Sequence, residues 1–258
     1  MIDSQARVHP SAKIAPDVEI GPWTTIGADV EIGSGTWVGP HVVIEGPTKI
    51  GANNKIYQFA SVGGAPQDKK YQGEVTFLEI GDDNIIREYC SLNRGTIQGG
   101  KVTRIGNHNL LMANVHVAHD CMLGDHIVIA DNSAMGGHVT VKDRAILSGF
   151  VAIHQFCTIG EFSFISGGSL VTKDILPYVL VAPGERRATV IGINSEGLKR
   201  NGFTAEEITQ VQRAYKIIYR KGLPLKEAIA QLQEMVIDAP RVQPMLDFIQ
   251  QPGRGIVG

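Results

Sequence analysis

The stretch His116-Val-Ala-His119-Asp120-Cys121 holds two of the chain's eight histidines, with a carboxylate beside the second. Three chemistries suit those residue types. A zinc site needs about three nitrogen, sulphur or oxygen ligands in tetrahedral array, and His116, His119 and His138 offer nitrogens. General base catalysis needs an imidazole, which ordinarily titrates near pKa ~6.5, and a partner that orients it; His119 with Asp120 supplies both. A solvated surface needs neither. The choice depends on where each side chain points, and so on the repeat that carries them.

That repeat has a period of six. From Val8 an aliphatic residue recurs at every sixth position to Val62, again at Ile80, Ile86 and Leu92, and again from Ile105 to Val171; of these 25 positions, 24 are Ile, Leu or Val and one is Met135. The fourth residue after each is mostly small or β-branched, and Cys90, Cys121 and Cys157 all fall in this slot, as do Asn54, Asn84 and Asn109. The cysteines therefore read as small core fillers, and the asparagines as hydrogen-bonding residues inside corners. A hexapeptide repeat of this kind specifies a parallel β-helix, in which three hexads make one triangular coil of about 18 residues. Each coil buries its apolar face only against its neighbours.

An 18-residue step converts sequence into position. His119 lies two places after Val117, points outward, and stacks on Gly137 and then Gln155. Asp120 stacks beside His138, while His116 and His154 lie on the same outer strip. One polar patch should thus cross three coils. A glycine beside the imidazole leaves a backbone N–H unobstructed for a developing oxyanion, so base, orienter and oxyanion donor together point to acyl transfer.

Two interruptions break the repeat, near 63–79 (GGAPQDKKYQGEVTFLE) and near 93–104. The first replaces two aliphatic positions without loss of phase, the second inserts about seven residues, and solenoids carry such excursions on the binding face. The organisation expected is a β-helix over 1–190 and a helical domain over 191–258. In the latter, SEGLKRNG starts a short helix, Thr204 and Glu207 form a capping box, Gly222 stops a helix, Pro224 lies in the first turn of the next, and MLDFIQQ forms a last one. These helices should cover the end of the prism.

Composition narrows the partners. The formal charge is −2, with 43% hydrophobic and 19% charged residues. This gives no general pull toward nucleic acid or membrane surfaces. MIDSQARV has no signal-peptide character and no apolar run is long enough to span a bilayer. Three scattered cysteines fit a reducing cytoplasm.

The runs IYQFASVG, QDKKYQGE, REYCSLNRGT, NLLMANVHVAHDC, GGHV, HQFC, GINSEGLKR and AYKIIYRKG resemble the UDP-N-acetylglucosamine O-acyltransferase (LpxA) family over essentially the whole chain. The hand of the coil does not follow from periodicity, because parallel crossovers are usually right-handed; the resemblance implies a left-handed β-helix. It implies a homotrimer with sites between neighbouring prisms, and no metal or resident cofactor. The donor is an (R)-3-hydroxyacyl thioester on the phosphopantetheine of acyl carrier protein, and the acceptor is the 3-hydroxyl of UDP-N-acetylglucosamine, in the first step of lipid A biosynthesis. A 3-amino acceptor stays open. By position, the resemblance makes His119 the base, Asp120 its partner and Gly137 the oxyanion donor. Asp68 and Lys70, with Gln67 beside them, hold sugar and diphosphate. His116, His138, His154 and Gln155 line the cleft, and Asn194, Glu196 and Arg200 contact the nucleotide. Gly167 matches the position that limits acyl length, and a glycine there implies a long chain such as 3-hydroxylauroyl or 3-hydroxymyristoyl.

The chain departs from the family pattern at Asn93, in place of a histidine, and at Asn201, in place of an arginine. The latter should lose one phosphate or carrier contact. The connection VAPGERRATVIGIN is about two residues longer than usual, and Arg186 or Arg187 is placed to restore the charge. Lys199, Arg200, Arg213, Lys216, Arg220 and Lys221 crowd the tail and suit an acidic carrier protein; the bland alternative is a solvated helix face. Three rival functions compete. The later lipid A N-acyltransferase carries an added N-terminal domain, for which hexads starting at Val8 leave no room. An acetyl-CoA-dependent hexapeptide acetyltransferase would lack the QDKKYQGE excursion. A non-catalytic scaffold or ice-binding array would show repetitive outer rows.

Overall fold

The structure is a computed structural model that describes residues 1–251 and 253–257. Short strands form three sheets of nine, eight and ten strands among the described residues; up to Leu170–Val171 they have two to four residues, stack in parallel and fall on successive sheets. The cause lies in the hexad. From Glu19–Ile20 to Leu170–Val171 the aliphatic residue of each strand points inward and is buried, as at Ile44, Val62, Leu92, Val117 and Met135, while the residue before it faces out. The fourth residue after it is also buried, including all three cysteines. Each such apolar side chain stabilises the stack by about 2 kcal/mol of transfer free energy before entropy is counted.

The third residue after the aliphatic position turns the chain. At nearly every corner it adopts the left-handed region although it is not glycine: φ is 61° at Asp120, 62° at His138 and 66° at Phe156. Such a conformation costs an L-residue about 1 kcal/mol. A bond between coils offsets it, because the corner N–H donates to the preceding coil: His138 N–H to the His119 carbonyl at 3.0 Å, and Phe156 N–H to the Gly137 carbonyl at 3.1 Å. Inside another corner, asparagines form the ladder expected of them. Asn54, Asn84 and Asn109 each donate a side-chain amide to a glycine carbonyl of the next coil, and each carbonyl oxygen accepts the next coil's backbone N–H.

The excursions alter the register in a way that the six-residue phase conceals. Ser61 pairs with Ser91 and Ile50 with Ile80, steps of 30 residues, and Ser91 pairs with His116, a step of 25. Val62 and Ile80 lie on adjacent sheets, so the first excursion adds twelve residues to one coil and does not stand in for two strands. From His116 onward the step is 18: His116 pairs with Ala134 and Ala134 with Ala152. The first excursion is pinned from below, where Asn93 Nδ2 donates to the Ala65 carbonyl at 3.1 Å and Arg94 donates to the Gly63 carbonyl and to Tyr71 Oη.

The faces differ in character. Outward positions on the eight-stranded sheet include Lys13, Glu31, Glu79 and Arg104, two of them joined at 2.6 Å and two at 2.7 Å as exposed ion pairs. Those on the ten-stranded sheet start with Glu19, Trp37 and Lys55 and continue as an apolar row, Ile85, Leu110, Val128, Ile146, Phe164 and Leu180, all of the row only partly buried.

The prism ends in an antiparallel pair, Val179–Ala182 with Thr189–Ile193, before helices α1 (Ser195–Arg200), α2 (Ala205–Tyr219), α3 (Leu225–Met235) and α4 (Gln243–Gln250). Strand Thr189–Ile193 runs across residue 190 and lengthens the regular structure beyond the hexads. The capping box at Thr204 and Glu207 is present. Pro224 is the residue before α3, one place outside its first turn, where its missing N–H is harmless. Gly222 has φ of 64°, two residues past the Arg220 cap. The tail covers the last coil through Phe203, whose ring meets Phe162 at 5.4 Å and Tyr178 at 5.8 Å. The chain end is tied down as well: buried Asp174 accepts from the Thr158 and Arg254 backbone, both at 2.8 Å.

Candidate active site at one corner of the prism

Asp120, His138 and Phe156 are the left-handed corner residues of three successive coils, and His119, Gly137 and Gln155 precede them. Two side-by-side columns therefore converge. The Asp120 carboxylate is wholly withdrawn from solvent. Its Oδ1 accepts the Thr96 N–H at 2.7 Å; its Oδ2 accepts the Thr96 hydroxyl at 2.6 Å and His119 Nδ1 at 2.7 Å. Its own N–H donates to Thr103 Oγ1 at 2.7 Å. An ionised carboxylate can only accept, so opposite it a neutral His119 carries its proton on Nδ1 and its lone pair on Nε2.

His138 completes the cluster. Its Nε2 stands 3.6 Å from Asp120 Oδ2, its ring stacks on Phe156 at 4.4 Å and 9°, and it meets His119 edge-on at 5.3 Å. Burial lowers its pKa against the opposing, raising pull of Asp120. His116 faces Ser91 Oγ at 2.7 Å, and burial, with His119 adding to it, lowers its pKa too.

Gly137 fits beneath the His119 ring. A β-carbon there would overlap Cε1 and come within 2.7 Å of Nε2. Its N–H donates to no protein acceptor among the described residues. At the other two corners several equivalent amides are capped by a carboxylate of the next coil: Asp125 accepts from Asn107 at 2.6 Å, Asp143 from Asp125 at 2.9 Å and Asp131 from Ala113 at 2.9 Å. The residue one coil beyond Gly137 is Gln155, whose side chain accepts no bond from that amide among the described residues.

A cavity of about 590 Å³ opens here, bounded by Gln67, Asp68, Lys69, Lys70, Gln98, His119, His138, Gln155 and Phe156. It unites the first excursion with the corner column. Of the residues expected from sequence, Gln67, Asp68, Lys70, His119, His138 and Gln155 line it. His116 lies on the adjacent strand, and exposed His154 has Nδ1 3.1 Å from the Gln155 carbonyl. Gly167 is exposed and sits one coil from Gly149, whose carbonyl a β-carbon would meet at 3.0 Å. Asn194 caps α1, with Oδ1 accepting from Gly197 at 3.1 Å and Nδ2 donating to Phe162 at 2.9 Å. Exposed Glu196 and Arg200 lie on α1, and neither lines the cavity. Arg213 and Lys216 project from α2, while Arg220 donates to Tyr215 Oη at 2.9 Å. Asn201 accepts from Arg144 at 2.8 Å, so its amide supports the tail.

Thr96, Thr103, Gln98 and Phe156 were not foreseen. Phe156 follows from His138 by the same 18-residue step; the other three belong to the second excursion or its edge, where the step does not apply. Donor atoms of His119, Asp120 and His138 all lie within 4.8 Å of one another, as a metal would require, yet both Asp120 oxygens already accept from Thr96 and His119.

Comparison with known proteins places the chain in a family. A relative from Thiobacillus denitrificans, named acyl-[acyl-carrier-protein]--UDP-N-acetylglucosamine O-acyltransferase, is 52% identical over 99% of this chain and 98% of its own length. The chain belongs to the UDP-N-acetylglucosamine O-acyltransferase family. A relative of the same name from Halorhodospira halophila is 51% identical over 99% of the chain and 98% of its own. The family profile described as Udp N-acetylglucosamine O-acyltransferase, domain 2, matches residues 174–257, and the bacterial transferase hexapeptide profile matches 29–64 and 103–137. A solved UDP-N-acetylglucosamine acyltransferase from Francisella novicida superposes with a TM-score of 0.98 at 44% identity, covering 100% of this chain and 94% of its own. LpxA from Acinetobacter baumannii gives 0.97 at 48%, covering 100% and 99%. The fold of this family member is accordingly a left-handed parallel β-helix with a small helical region at its C-terminal end. No helix among the described residues is long and apolar enough to cross a membrane.

Proposed function

We propose that the chain transfers an (R)-3-hydroxyacyl group from acyl carrier protein to the 3-hydroxyl of UDP-N-acetylglucosamine, in the cytoplasm, as the first step of lipid A biosynthesis. The observation that carries the reading is the line from buried Asp120 through His119 to the cavity, beside the uncapped amide of Gly137. His119 Nε2 takes the proton of the sugar 3-hydroxyl as its oxygen attacks the thioester carbonyl. The tetrahedral oxyanion accepts the Gly137 N–H, which is fixed by backbone geometry and needs no reorganisation. Collapse breaks the C–S bond, and the phosphopantetheine thiolate recovers the proton from the His119 imidazolium. Asp68 and Lys70 hold the sugar and diphosphate, with Gln67 beside them. His116, His138, His154 and Gln155 border the acyl path, and Asn194, Glu196 and Arg200 contact the nucleotide.

The apolar outer row Ile85, Leu110, Val128, Ile146, Phe164 and Leu180 supports assembly of three copies, because a stripe of that size stays poorly solvated in a monomer. The bare exposed Gly167 supports a long acyl chain, 3-hydroxylauroyl or 3-hydroxymyristoyl. The test is mass spectrometry of product from UDP-N-acetylglucosamine with carrier proteins bearing 3-hydroxyacyl chains of different lengths, for the wild type and His119→Ala. Acylated nucleotide from the longer donors, lost in the variant, is expected. Near-full turnover by His119→Ala would remove the base assignment, and preference for a ten-carbon donor would remove the chain-length assignment.

A further inference from the structure

The second excursion does not line the site merely by proximity. Seven extra residues between Leu92 and Ile105 carry Thr96 and a single 3-10 turn, Ile97–Gly99, over the corner that holds Asp120. Thr96 donates twice to the carboxylate, through N–H to Oδ1 at 2.7 Å and through its hydroxyl to Oδ2 at 2.6 Å. Thr96 Oγ1 also accepts the Gly99 N–H at 3.3 Å, which closes the turn. Gly99 lies flat against the carboxyl group, and a β-carbon at that position would fall inside Asp120. From the other side Thr103 Oγ1 accepts the Asp120 N–H at 2.7 Å. Two chemically distinct devices, donors and a missing side chain, thus act on one carboxylate that has no solvent of its own.

We infer that this turn is a carboxylate clamp, with Thr96 and Gly99 as positioning residues that act on the reaction only through Asp120. An Asp120 free to rotate would swing Oδ2 from His119 Nδ1 toward His138 Nε2, 3.6 Å away. The His119 proton would then no longer be confined to Nδ1. With both oxygens held by Thr96, Oδ2 has one orientation, and His119 Nε2 stays the bare nitrogen facing the cavity. The inference rests on His119 acting as the base.

Three variants of the full-length protein test it: Thr96→Val removes the hydroxyl donor and keeps the N–H, Thr96→Ser restores the donor, and Gly99→Ala inserts the β-carbon. Loss of a hydrogen bond to a charged group predicts that Thr96→Val lowers kcat by about 10- to 100-fold, with KM for both substrates within about twofold. Thr96→Ser should recover to within about threefold of wild type, and Gly99→Ala should fall at least as far as Thr96→Val. Nitrogen-15 NMR of the imidazoles, which needs no turnover, should show His119 protonated on Nδ1 in wild type and Thr96→Ser, and a mixture of tautomers in Thr96→Val. If Thr96→Val keeps wild-type kcat and a single His119 tautomer, the clamp is overturned. If Thr96→Val loses the tautomer while His119→Ala keeps its turnover, the clamp stands and the base assignment falls.

Discussion

The Gly137 α-carbon lies so close beneath the His119 imidazole that a β-carbon would approach Nδ1 to 3.0 Å and Nε2 to 2.7 Å. Ordinary carbon contacts begin near 3.5 Å, so Gly137→Ala must push the ring out of line with Asp120. We expect kcat to fall by about 100-fold or more, the order seen when an oxyanion donor or its geometry is lost. The protein should still fold, because both residues lie at an outer corner. Steady-state kinetics beside thermal unfolding separate the two effects, and an active Gly137→Ala would contradict the arrangement.

At another corner of the prism an Asp of the next coil caps the amide one coil earlier, as Asp125 caps Asn107, whereas Gln155 leaves the Gly137 N–H uncapped among the described residues. Introducing such a cap with Gln155→Asn should engage the Gly137 N–H and withdraw it from an oxyanion. The expected result is a kcat lower by about 10- to 100-fold with Tm unchanged or raised, since a buried hydrogen bond is gained as a catalytic one is lost. A variant with full kcat would show that this amide takes no part.

Arg213 and Lys216 project freely from α2, whereas Arg220 is engaged with Tyr215 at 2.9 Å. If the first two meet the acidic carrier, Arg213→Glu and Lys216→Glu should each raise KM for acyl carrier protein by about three- to tenfold, leave KM for the nucleotide sugar alone, and flatten the salt dependence. Rates measured across ionic strength with each substrate limiting in turn decide this; equal effects on both substrates would exclude docking.

Burial lowers the pKa of His116 and His138. Their unfolded-state pKa is near ~6.5, so below that pH the unfolded chain binds protons that the folded chain refuses. Folding stability should therefore hold above about pH 7.5 and decline as pH drops through ~6.5, until the lower folded-state values are passed. Thermal unfolding between pH 8 and pH 5 measures the slope, and His116→Gln should make it shallower. A slope unaltered by the substitution would assign the loss to other groups.

The outline of this fold was legible because a β-helix repeats its environment. An aliphatic residue every six positions means the same inward corner each time, so the buried slots, the cysteines within them and the step that sets His119 on Gly137 could be counted. The count failed only where the excursions lengthened a coil, giving steps of 30 and 25, since spacing cannot tell an added loop from a skipped strand. The antiparallel pair before the helices, formed by strands Val179–Ala182 and Thr189–Ile193, also lay outside the repeat.

By itself the sequence determined the coil, its period and the pairing of an imidazole with a bare glycine one coil away, because those depend on contacts at a fixed separation along the chain. Tertiary structure alone decided which loop atoms reach that corner: Thr96 on both Asp120 oxygens, Gln98 and Lys69 at the cavity, Asn93 and Arg94 under the first excursion. Loops have no period, and their side chains find partners through three-dimensional packing and hydrogen-bond satisfaction, which no spacing encodes.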